Sequence, residues 1–228
     1  MKKILFAASE CVPFVKIGGL ADVVGSLPVE LNKQGVDARV IIPLYKKIKV
    51  KYSDKLHFRG WKMVHMGWRS LYAGLFSLEL NGVVFYFIDN EYYFNFDQIY
   101  VDYVFDIERY CFYQRAVLDF MGDFMDFEPN VLHCNDWQTG PLCAYLKEIY
   151  GHMMPYSKIK TLYTIHNLQY QGRFAPSTLD MMGLPGWIWN NVEFYDSVSF
   201  MKMGLVYCDY ISTVSETYAY EIQTSEYG

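Results

Sequence analysis

An apolar run at residues 3–9 is followed by Leu20, Val23, Val24, Leu27 and Leu31 at helical spacing, and then by a second apolar run at residues 36–43. Continuous runs predict strands covered on both faces, and the 3.6-residue period between them predicts a helix with one buried side. Strand, helix and strand in so short a span make a βαβ unit, which commits the chain to a parallel sheet with a helical crossover packed on it. Pro28 falls inside the helical pattern and removes one hydrogen bond, so a kink or restart is expected there. Gly35 is placed to cap the helix.

The same alternation resumes late in the chain, with strands expected at 131–134, 161–165 and 210–214 and helices at 140–150 and 197–208. From Thr217 a further helix is expected, cut off by the end of the chain. Between the two halves, Asn81-Gly82 lies between apolar runs at 75–80 and 83–88, the strongest short hairpin signal, so an antiparallel insertion or sheet extension is expected across 56–89. A loop rich in tyrosine and phenylalanine spans 90–103, and a helical pattern runs from about 106 to 124. Residues 167–191 are irregular, with one short helix near 176–182. The expected fold is α/β: a doubly wound, mostly parallel sheet with a β-hairpin insertion, in one large domain or two small ones.

Several function classes fall away on composition. With 20 Lys and Arg against 25 Asp and Glu the net charge is −5, which gives no electrostatic case for nucleic acid. The one basic run, at residues 46–51, is interleaved with apolar residues and is expected to border a loop. Glu10 interrupts the N-terminal apolar run before it can serve as a signal-peptide core, and no run has membrane-spanning length, so no membrane partner is expected. Five cysteines without a C-x-x-C pair argue against a disulfide framework and for a reducing, cytoplasmic setting.

In open parallel sheets, ligands bind beyond the carboxyl ends of the strands. Four polar junctions stand there: Glu10 with Lys16, Asn135-Asp136-Trp137, His166-Asn167, and Ser215-Glu216. Gly18 and Gly19 open the first helix just after Lys16, and free N–H groups, a lysine and two glycines together suit an anion, phosphate above all. The same residues also read as a plain helix start with a solvated lysine. His166 is either functional or structural, and Asp136 either belongs to the site or caps the next helix. Tyr92, Tyr93, Tyr100 and Tyr103 either stack on sugar rings or pack. The spacing of His133, Cys134 and Asp136 fits no standard metal site. A Cys134–His166 nucleophile pair has no local signature, and neither G-x-G-x-x-G nor G-x-x-x-x-G-K-[ST] occurs.

Four motifs in order carry a resemblance that runs nearly end to end. They are Lys16-Ile17-Gly18-Gly19-Leu20-Ala21-Asp22-Val23-Val24, His133-Cys134-Asn135-Asp136-Trp137-Gln138, Tyr163-Thr164-Ile165-His166-Asn167-Leu168-Gln169-Tyr170-Gln171-Gly172, and Thr213-Val214-Ser215-Glu216-Thr217-Tyr218-Ala219. The chain resembles the N-terminal half of the bacterial glycogen synthases, the family shared with plant starch synthases, and the resemblance makes residues 1–228 one Rossmann-like domain. That resemblance implies a retaining transfer of glucose from ADP-glucose to the non-reducing end of an α-1,4-glucan, with no metal or cofactor, between two Rossmann-like domains in the arrangement called GT-B. Carried over by motif, Lys16 contacts the donor phosphate, Gly18 and Gly19 let the backbone approach it, and His166 and Asn167 lie against the donor glucose. Asp136 stands on the donor sugar's side, Tyr100 near the adenine end, and Glu10 toward the acceptor. The family commonly has histidine where this sequence has Asn135, so no role carries over to that side chain. The family's members are about twice this long. The resemblance therefore implies that a C-terminal nucleotide-binding domain completes the site in cis and that the 228 residues alone have little or no synthase activity. Two other readings are a glucan- or nucleotide-binding module without catalysis and a related glucosyltransferase using UDP-glucose.

Overall fold

The structure is a computed structural model and describes residues 1–227; Gly228, the last residue of the expected domain, lies outside them. Strand β1 (Lys3–Ala7), helix α1 (Gly19–Lys33) and strand β2 (Asp37–Pro43) form the expected parallel βαβ unit. Helix α1 runs through Pro28 without a restart, because that residue is itself buried beside Leu20, Ala21 and Val24 on the face that packs on the sheet. Gly35 closes the helix in the left-handed conformation (φ 81°), donating its N–H to the Asn32 carbonyl at 3.1 Å.

The basic run forms helix α2 (Lys46–Lys51) rather than the border of a loop. Its one buried residue, Ile48, anchors the turn, while Lys49 reaches Asp89 and Glu91 at 3.3 and 2.9 Å. Strands β3 (His57–Met66), β4 (Arg69–Leu80) and β5 (Val83–Asp89) follow as an antiparallel meander. Asn81 (φ 54°) and Gly82 (φ 73°) make the two-residue turn with both residues left-handed, the combination that matches strand twist. Because β5 pairs in parallel with β2, the meander extends the main sheet.

The aromatic loop contains a short helix, α3 (Glu91–Phe94), started by the Asn90 side chain. Asp102 caps α4 (Tyr103–Met121) by accepting from the amides of Val104 and Phe105, so that helix begins and ends three residues ahead of its apolar period. Next come β6 (Val131–Asn135), α5 (Gly140–Tyr145) with a π-helical turn over Leu146–Tyr150, and β7 (Lys160–Ile165). The irregular stretch holds β8 (Arg173–Phe174), α6 (Thr178–Met182) and α7 (Trp189–Val192), and β8 pairs with β9 (Val198–Ser199). That pairing delays α8 (Phe200–Tyr207), which Ser199 caps; β10 (Tyr210–Thr213) and α9 (Glu216–Glu221) complete the order.

The eight-stranded sheet runs β10-β7-β6-β1-β2-β5-β4-β3, parallel from β10 to β5. From β1 the chain moves outward to β2 on one side and later returns to β6 on the other, so a topological switch point lies between β1 and β6. Among the described residues no helix is long and apolar enough to cross a membrane.

Candidate functional site

At that switch point, beyond the carboxyl ends of β1, β6, β7 and β10, lies a cavity of about 650 Å3. Glu10, Gly18, Gly19, Tyr100, Asp136, His166 and Asn167 all line it. Of the residues to which the resemblance gives a role, Lys16 stands outside the lining, and so does the fourth polar junction, where Ser215 instead caps α9 by accepting from the Tyr218 amide. The Lys16 ammonium, half exposed, sits between both carboxylate oxygens of Asp22 at 2.7 and 2.8 Å.

The loop from β1 to α1 is held by Glu10, whose buried carboxylate accepts from the amides of Ile17 and of Gly18, the latter at 3.1 Å. The first N–H groups of a helix have no partner within it. No side chain caps α1, and among the described residues the amides of Gly19, Leu20 and Ala21 remain unpartnered. Gly18 has an extended backbone (φ −130°), and a Cβ there would come no closer than 3.8 Å to any atom; one at Gly19 would meet nothing within 4 Å. Neither glycine is demanded by this chain's own packing. Both leave open space at the start of α1, where the cavity is lined.

Asp136 does not cap the turn that follows it, contrary to one expectation from sequence. With φ at 57° it turns back, and its Oδ1 accepts from the amides of His166 (2.8 Å) and Asn167 (3.2 Å), tying the end of β7 to the end of β6. The turn itself is held by Thr139, whose hydroxyl donates to the Asn135 carbonyl. Burial pushes the Asp136 carboxyl up to about 6, against the two amides that favour its charge.

A carboxyl whose native pKa lies above its ordinary 3.8 binds its proton more readily folded than unfolded, so stability falls as pH rises from about 4 to about 6 and stays lowered above that. Asparagine keeps an acceptor for both amides, tolerates φ near 57° and carries no charge. Asp136→Asn is therefore expected to raise the unfolding free energy by about 1–3 kcal/mol at pH 7.5, with the gain absent at pH 4. Urea unfolding at the two pH values measures it.

His166 lies across the cavity at the end of β7, with Nε2 2.9 Å from Asn135 Oδ1. Burial pushes its pKa down to about 4, so the ring is neutral near pH 7. Tyr100 is partly buried, its hydroxyl 3.1 Å from Ser9 Oγ and accepting from Gln138 Nε2 at 2.8 Å. None of the other three tyrosines lines the cavity: Tyr93 is fully buried, while Tyr92, edge-on to it, and Tyr103, beside Phe174, are largely exposed. His133 is buried against Phe6 and bonds Thr164, away from the lining, and burial raises the Cys134 thiol well above its ordinary range. Neither a metal set with Asp136 nor a Cys134–His166 nucleophile is assembled from them. Asp106 and Gln138 also line the cavity. Gln138 belongs to the Asp-Trp-Gln-Thr run and was legible as a neighbour, whereas Asp106, held by the buried Arg109 at 2.8 Å, had no signal but its place in a helix.

Comparison with known proteins places these features in context. The family model described as "starch synthase catalytic domain" matches residues 3–228. A glycogen synthase of Desulforamulus reducens is 48% identical over 99% of this chain and 47% of its own length. A glycogen synthase of Clostridioides difficile is 49% identical over 99% of this chain and 48% of its own. Among solved structures, the catalytic domain of starch synthase IV from Arabidopsis thaliana, bound to ADP and acarbose, superposes with a TM-score of 0.86 at 25% identity, covering all of this chain and 47% of that one. The chain spans about half the length of the curated relatives it matches.

Proposed function

Because the chain belongs to the starch synthase catalytic domain family, we propose that its cavity is one wall of a site that transfers glucose from ADP-glucose to the non-reducing end of an α-1,4-glucan with retention. The bond from the anomeric carbon to the phosphate oxygen breaks, a bond to the acceptor's 4-hydroxyl oxygen forms, and the acceptor's proton leaves with ADP. One observation carries this reading: the start of a fifteen-residue helix, which no side chain caps, lines one cavity together with a neutral histidine and a buried aspartate.

Negative charge grows on the departing diphosphate, and a helix N-terminus with a lysine beside it stabilises that charge where it develops. On this reading Gly18 and Gly19 admit the phosphates, and Lys16 exchanges Asp22 for them when donor is bound. His166 and Asn167 hold the glucosyl unit, Asp136 keeps those two in place, Tyr100 stands toward the adenine end and Glu10 toward the acceptor. The charge needs no metal, and ADP-glucose is a substrate rather than a cofactor. The opposite wall is proposed to come from a C-terminal domain in the same polypeptide, in keeping with relatives about twice as long. The starch synthase of known structure holds ADP, the product this reaction would leave. Five free cysteines suit a cytoplasmic setting.

The test is transfer from labelled ADP-glucose to a maltooligosaccharide by the longest product of the reading frame that encodes this chain. Elongation by α-1,4-linked glucose with one ADP released per unit is expected, faster than with UDP-glucose. Residues 1–228 alone are expected to give little or none. Binding of glucan or ADP without transfer by the longest product would overturn the reading in favour of a binding module.

A further inference from the structure

Asn135 is fully buried at the end of β6, and each of its polar atoms is engaged. Its Nδ2 donates to the carbonyl oxygens of Ala7 and His133, both at 3.1 Å. Those oxygens can only accept, so they fix which end of the amide faces them and leave Oδ1 pointing the other way. The Oδ1 atom then lies 2.9 Å from His166 Nε2 and can only accept in its turn.

We infer that Asn135 is a positioning residue that locks His166 in the Nε2–H tautomer, leaving Nδ1 as the ring's acceptor for a hydroxyl-donating ligand in the cavity. The direction of the whole chain is set at the backbone: the Ala7 carbonyl belongs to β1, the His133 carbonyl to β6, and the ring they orient to the end of β7. Three adjacent parallel strands thus dictate the protonation of one imidazole. Among the described residues Nδ1 has no hydrogen-bond partner, and the ring lines the cavity. Burial keeps the ring neutral at pH 7, so a lone pair is present on Nδ1 rather than a second proton. The nearby His133 does not compete: it is also held neutral by burial, and its own Nε2 is committed to Thr164 Oγ1 at 2.6 Å.

A histidine with a fixed acceptor at Nδ1 receives a sugar hydroxyl and does not serve a phosphate oxygen, which has no proton to give at neutral pH. This divides the cavity chemically. The α1 side offers donors for an anion, and the β7 side offers an acceptor for hydroxyls. The tautomer follows from the hydrogen-bond geometry of a ring kept neutral by burial, whereas its use on a glucosyl unit rests on the function proposed above.

The tautomer is read directly by long-range 1H–15N spectra of the chain labelled at histidine, because protonated and unprotonated ring nitrogens resonate far apart. Only five histidines are present, and His166→Gln assigns the signal. A single Nε2–H form at pH 7 is expected, and Asn135→Ala, or Asn135→Ser should the alanine variant not fold, is expected to give a mixture of tautomers. An Nδ1–H form or a mixture in the unaltered chain would overturn the inference, as would an unchanged Nε2–H form in the variant. Added ADP-glucose is expected to move the Nδ1 resonance of the longest product. A pure Nε2–H tautomer that ignores the sugar nucleotide would sustain the lock and count against the proposed function instead.

Discussion

Lys16→Ala is expected to lower glucosyl transfer by about a hundredfold, equivalent to about 2.7 kcal/mol of transition-state stabilisation, while barely altering the fold. The two halves of that expectation come from the same geometry. Among the described residues the ammonium, half exposed, pairs only with Asp22, a residue equally exposed, and surface pairs of this kind contribute about 0–1 kcal/mol. For a domain of this size a loss that small moves the melting temperature by less than about 4 °C. The same weakness lets the lysine leave Asp22 cheaply. Opposite a diphosphate shielded from water, its charge is opposed by little screening and gains most as the leaving group's charge grows. Steady-state transfer and thermal melting of the longest product, measured side by side, separate the two contributions. A drop in melting temperature without a drop in transfer would assign Lys16 to the fold rather than to the donor.

Where the period of the apolar residues was clean, the fold was legible in the sequence. The runs that became β1, β2, β6 and β7 are largely buried and carry no competing pattern, β10 closes the sheet as a more exposed edge strand, and Asn81-Gly82 leaves a hairpin almost no alternative. Misreadings arose where a local pattern met tertiary packing. Pro28 would break an isolated helix, yet burial of the Leu20, Ala21 and Val24 face carries α1 through it. The lysines at 46–51 look like a solvated border until Ile48 is seen to be buried. The start of α8 is fixed by β8 pairing with β9, a contact with no signature in so irregular a stretch.

The site was legible as a set of positions more than as a set of contacts. Strand ends in a parallel sheet converge by topology, so Glu10, Asp136 and His166 could be placed on one rim without coordinates. Their partners could not. That Glu10 holds the glycine loop, that Asp136 ties β7 instead of capping a turn, and that Asn135 orients His166 all depend on side-chain directions across neighbouring strands. Asn135 is the clearest case: the resemblance carried no role over to it, yet its amide joins two backbone carbonyls to the His166 imidazole.

Gly19 gives the most direct test of the account, because the protein itself makes no use of the missing side chain. A methyl group there meets nothing within 4 Å and lies in the first turn of α1, where alanine is a better helix former than glycine. Gly19→Ala is therefore expected to leave thermal stability unchanged or slightly raised. On the proposed placement of the donor, the methyl would project into the cavity that Gly19 lines and hold a phosphate about 1 Å from its place, a displacement that costs roughly a hundredfold in rate. Transfer from ADP-glucose by the longest product, measured for the unaltered protein and for Gly19→Ala at matched stability, is predicted to fall by about that factor. Transfer within twofold of the unaltered protein would contradict the claim that the start of α1 receives the donor phosphate.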